Sequence, residues 1–147
     1  ITTFGNNLAR NKIMKPLLRN LLAISGGVLV GSTFNMLIVS KGGIYISPPL
    51  GVDPEDIKSI RANIHLYEAK HYIIPFLAHA IGTFVAAFVA VKLAIRRKQT
   101  VGIIVGTWFF IGGITVASMI GTPLSPTIVD LAFAYFPFAW LGLKLAK

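Results

Sequence analysis

Cysteine is absent from the 147 residues, which excludes disulfides, thiolate metal ligands and a cysteine nucleophile. Charge is scarce as well. Only 13% of the residues are Asp, Glu, Lys or Arg, against roughly 25% in an ordinary soluble domain. Acids are fewest, 5 against 14 bases, and all but Asp130 fall within residues 53–68. Signatures of catalysis are missing too: there is no Gly-rich phosphate loop, nucleophile elbow, zincin helix or haem-attachment motif. Ser25, Ser32 and Ser118 lie in apolar runs without a base beside them. The chain is therefore not expected to be an enzyme, and no cofactor and no metal is expected.

What the chain has in abundance is apolar length. Hydrophobic residues make up 54% of it, gathered into four runs at about 17–40, 70–91, 101–120 and 127–145. At ~1.5 Å of rise per residue each run is about the length that crosses a bilayer. The expected fold is an all-α integral membrane protein. Its four transmembrane helices pack as a small bundle, with one short amphipathic helix outside the membrane. The length allows one domain, expected over 14–147. Residues 1–13 read as a polar N-terminal extension, because Met14 followed by Lys15 resembles a start.

The net charge of +9 would point to nucleic acid if the bases formed a stripe on one face. Instead, Arg10, Lys12, Lys15 and Arg19 precede the first run, Lys92, Arg96, Arg97 and Lys98 follow the second, and Lys144 and Lys147 close the fourth. This is the positive-inside pattern. It puts both termini in the cytoplasm, with 41–69 and 121–126 outside. It also makes anionic lipid the partner of the bases, and nucleic acid is not expected.

Small residues recur at helical spacing inside the runs. Gly27, Gly31 and Asn35 share one face of the first, Gly82, Ala86 and Ala90 of the second, and Gly102, Gly106, Gly113 and Ala117 of the third. Such small-xxx-small seams let helices approach closely. Phe76, Phe84 and Phe88 form a bulky stripe suited to lipid, and Pro137 is expected to kink the fourth span one turn earlier. Between the first two spans, Pro48 and Pro49 exclude regular helix. Asp53 followed by Pro54 then reads as an N-cap. Ile57, Ile60 and Ile64 make an apolar stripe over 53–68, the amphipathic helix, which is expected to lie along the outer interface.

A carboxylate within a span costs roughly 2.5–3.5 kcal/mol at the helix centre and less near an interface. Asp130 lies about one turn below the outer end of its span, Asn35 at similar depth, and His79 deeper. The three are expected to form one intramembrane polar cluster in the outer half. As a functional site it would handle protons, ions or headgroups. As a structural device, Asp130 caps its helix, Asn35 cross-links helices and His79 bonds a carbonyl. The structural reading is preferred. His65, Glu68 and His71 also have ligand chemistry. At i, i+3, i+6, however, they spread over about 120° of a helix, too widely for one ion.

The segment His65-Leu66-Tyr67-Glu68-Ala69-Lys70-His71-Tyr72-Ile73-Ile74-Pro75-Phe76-Leu77-Ala78-His79-Ala80-Ile81-Gly82-Thr83 follows Pro48-Pro49-x-Gly51-Val52-Asp53 and precedes Asp130-Leu131, Tyr135, Pro137 and Trp140-Leu141-Gly142. Taken together, these resemble uncharacterised small four-span membrane proteins of Bacteroidetes, over roughly 14–145. The resemblance implies source and topology, and no activity. The resulting expectation is a bacterial inner-membrane protein without catalysis of its own. It would be an accessory or structural subunit of a larger membrane assembly, with lipids and other membrane subunits, or itself, as partners. The alternative is a small oligomeric transporter or channel that uses Asp130, His79 and Asn35. A membrane enzyme acting on lipid or quinone, with His79 as base, ranks third.

Overall fold

The computed structural model describes the backbone from Thr2 to Lys147 and side chains from Lys15 onward. The reading of 1–13 as a polar extension depends on side chains outside the described residues. The elements are all helical: α1 (Thr2–Gly42), α2 (Ile57–Ala62), α3 (Ile73–Leu93), α4 (Lys98–Ile120), α5 (Leu124–Phe133) and α6 (Phe136–Ala146). No strand occurs among the described residues. Four stretches are long and apolar enough to cross a membrane: Lys15–Gly42, Ala69–Leu93, Lys98–Ile120 and Leu124–Ala146.

Helix α3 is the centre of the packing, touching α1, α4 and α6. Against α1 it runs antiparallel, and the register follows from the small residues. A Cβ on Gly27 would meet the Ala86 carbonyl oxygen at 2.5 Å, one on Gly31 would overlap the Gly82 carbonyl oxygen, and one on Gly82 would meet the Asn35 Cβ at 2.9 Å. Ala86 has no exposed surface. Here backbone rests on backbone, so dispersion contacts are gained along the seam without any large side chain. Helix α4 packs antiparallel on α6 with side chains set against its glycines, Leu143 against Gly102 and the Ala139 methyl against Gly106.

Two of the connections are held by specific groups. The Asn20 side chain of α1 reaches the turn between α3 and α4, where Nδ2 donates to the Arg96 carbonyl at 2.7 Å and Oδ1 accepts from the Ile95 N–H at 3.1 Å. Backbone groups freed at the end of α3 are thereby satisfied. Helix α4 ends at Gly121, whose φ of 75° is left-handed. The N–H groups of Gly121 and Thr122 both return to the Ala117 carbonyl, a Schellman-type stop.

Several boundaries differ from expectation. The amphipathic helix expected over 53–68 is reduced to α2, capped by Asp56 through the Lys58 N–H. It is followed by 3-10 turns at Ile64–Leu66 and Ala69–Tyr72. Within the expected apolar stripe, Ile60 and Ile64 are half-buried and Ile57 is exposed. The phenylalanine stripe faces the interior more than expected. Phe76 and Phe88 pack on the core, and Gly142 of α6 sits against the backbone at Phe84 and Phe88. The fourth span is two helices, α5 and α6, joined at Ala134–Tyr135. Pro137 accounts for the break: it has no N–H to donate, and its ring crowds the carbonyl four residues earlier, at Phe133.

Candidate polar site at the broken helix

The break between α5 and α6 turns Tyr135 inward. With φ −105° and ψ −74°, its ring leaves the surface entirely and has no exposed area. Room for it exists because α4 presents Gly113 at that level, where any Cβ would overlap the tyrosine hydroxyl. Phe110 of α4 meets the ring edge-on, with centroids 5.9 Å apart and planes at 85°, a favourable aromatic geometry.

The Tyr135 hydroxyl donates to Asp130 Oδ2 at 2.8 Å. From α3, His79 brings Nδ1 to within 2.9 Å of Oδ1 and 3.0 Å of Oδ2. With the proton on Nδ1, the imidazole donates to the carboxylate, and both carboxylate oxygens are engaged. The His79 and Tyr135 rings also stack, 5.5 Å apart. Only 20% of each of the His79 and Asp130 side chains is exposed. In low-polarity surroundings a carboxylate is tolerated when it is paired and hydrogen-bonded, and this one is both.

Of the three residues expected to cluster, Asp130 and His79 are joined and Asn35 bonds to neither. Asn35 instead shares with His79 the lining of a cleft of about 300 Å³, which also includes Trp108, Phe109, Gly112 and Tyr135. Tyr135 was not among the expected site residues. Its signals were its position five residues after Asp130 and two before Pro137, where a helix break re-aims a side chain. One turn beyond His79, the Thr83 hydroxyl is fully buried without a partner among the described residues.

The packing residues fall where they are needed: Gly27, Gly31, Gly82 and Ala86 between α1 and α3, Gly102 and Gly106 between α4 and α6, and Gly113 over Tyr135. His65, Glu68 and His71 do not converge. The Glu68 N–H donates to His71 Nδ1 at 2.8 Å, while its carboxylate pairs with Lys70 at 3.0 Å. Lys70 holds that carboxyl below the usual range, by hydrogen bond and charge. No group of three metal-ligating side chains occurs among the described residues. Comparison with protein-family models, curated proteins and solved structures finds no match in any of the three.

Proposed function

We propose that the chain is an integral membrane protein crossing the bilayer four times, acting through packing and binding and without catalysis of its own. In this reading it is an accessory or structural subunit of a larger membrane assembly. The observation that carries the membrane reading is apolar exposure in each of the four long apolar stretches: Met36 at 69%, Leu77 at 41%, Trp108 at 63% and Phe133 at 59%. Water would oppose leaving that much apolar surface uncovered, whereas acyl chains accept it. The accessory role draws on α1, which packs chiefly on α3 and leaves its other faces open to a neighbouring subunit. Inner-membrane residence with both termini cytoplasmic draws on the placement of the bases and on the resemblance to four-span bacterial proteins.

Orientation is tested by cysteine labelling in whole cells. A cysteine at Ser59 is expected to react with an impermeant thiol reagent from outside and one at Gln99 is not; the reverse pattern rejects the orientation. The accessory role is tested by native mass after mild detergent extraction, where co-migration with a larger assembly supports it.

A second reading, a small oligomeric transporter or channel, has one observation in its favour: His79, the partner of Asp130, lines an open cleft. It predicts a homo-oligomer in the same native-mass measurement. It also predicts that Asp130→Asn abolishes transport, because an amide does not take up and release protons. Under the accessory reading the same substitution leaves assembly intact.

A further inference from the structure

The cleft beside the polar site has a chemical character of its own. Helices α1 and α4 both lean on α3 but touch each other little, so they diverge and leave the space of about 300 Å³ between them. That volume is at the lower end of the ~300–1,000 Å³ typical of small-molecule sites. The cleft is walled by Trp108 and Phe109 and floored by His79 and Tyr135, and Asn35 projects from α1. No Lys, Arg, Asp or Glu lines it, so a charged ligand would find no counter-charge there. At its mouth Met36 and Trp108 are widely exposed, continuous with the apolar outer surface.

Besides the exposed Ser32 hydroxyl, two polar groups in the cleft have no partner among the described residues. The His79 ring is oriented through Nδ1 by Asp130, which leaves Nε2 as the nitrogen available to a ligand. With the proton on Nδ1, Nε2 carries a lone pair and accepts a hydrogen bond. The Asn35 amide, both donor and acceptor, makes no side-chain bond and is half-buried. Aromatic walls offer stacking to a flat ring. An acceptor and an amide at the bottom offer bonds to ring oxygens, and the open apolar mouth accommodates a tail.

We infer that this cleft binds a neutral, hydroxylated planar ring with an apolar tail, of the alkylphenol or quinol class. Its ring hydroxyl donates to His79 Nε2 and a ring oxygen meets the Asn35 amide. Asp130 acts as a positioning residue: it holds the imidazole in the accepting tautomer without lining the cleft, while Tyr135, whose hydroxyl is committed to Asp130, offers the ligand only its ring. The site goes beyond the accessory reading and does not depend on it, since it belongs to the single chain.

The test uses the full chain purified in mild detergent with Trp140→Phe, which leaves Trp108 as the only tryptophan of the two. The probes are para-octylphenol and octylbenzene, which differ only in the hydroxyl, and the readout is Trp108 emission. Saturable binding is expected, with the phenol about ten-fold tighter, the effect of one net hydrogen bond. His79→Phe is expected to bring the two affinities together. Gly112→Leu is expected to weaken both probes, because a side chain there enters open space and leaves the Asp130 contacts untouched. Equal affinities in the starting protein, unsaturable partitioning, or affinities unchanged in Gly112→Leu would each overturn the site. If His79→Phe does not fold, Gly112→Leu decides alone.

Discussion

On one side of α3 the middle of the contact with α1 is made by Gly27, Gly31, Gly82 and Ala86, backbone against backbone, and the Arg19 side chain bonds the α3 backbone only at the far end, at Leu93. On another side His79 meets the Asp130 carboxylate, which also accepts from the Tyr135 hydroxyl across a helix break. The first contact is close but carries little direction, because small residues are alike and dispersion is not angular. The second engages few atoms, yet hydrogen bonds have preferred distances and angles, so it admits one register of α5 and α6 on α3. Closeness on one side and direction on the other are complementary ways of fixing the same helix.

The contrast is broken most severely from the glycine side. Gly31→Leu places atoms where the Gly82 carbonyl and Ala86 already are and is expected to cost about 3 kcal/mol, the upper range for overpacking. Detergent unfolding followed by circular dichroism measures it. A loss under about 1 kcal/mol would mean that α1 slides freely, and the seam would then carry no register at all.

From the polar side, Asp130→Leu removes the acceptor of two donors at once and is expected to cost about 2 kcal/mol in the same measurement. Asp130→Asn, which keeps an acceptor oxygen, is expected to cost about 1 kcal/mol or less. If the two substitutions prove equal, the hydrogen bonds are not what places α5. Gly113→Ala comes next, at about 1 kcal/mol. The methyl displaces the Tyr135 ring, and the better helix propensity of alanine returns part of that loss. The smallest effect expected is a gain: Thr83→Val keeps the shape and removes a buried hydroxyl without a partner, raising stability by up to about 1 kcal/mol.

The number of long apolar helices and the small-residue seams between them were legible in the order of residues. Hydropathy acts over one segment at a time, and glycine spacing repeats with the helix itself. Even the break in the fourth span is local, since Pro137 disrupts its own preceding turn whatever surrounds it.

Other features depended on segments far apart in the chain, and only the tertiary structure decided them. Asp130 pairs with His79, 51 residues away, while Asn35 at similar expected depth bonds to neither. Depth along separate helices does not say how each is rotated about its axis. Tyr135 turns inward because Gly113 on another helix leaves room for its hydroxyl, and Phe76, Phe84 and Phe88 end half-buried where neighbouring helices reach them. Asn20 clasps a turn 75 residues distant, a partnership that no periodicity announces. A helix encodes its own period and the size of its faces; which face meets which neighbour is settled only when all the helices exclude one another's volume at the same time.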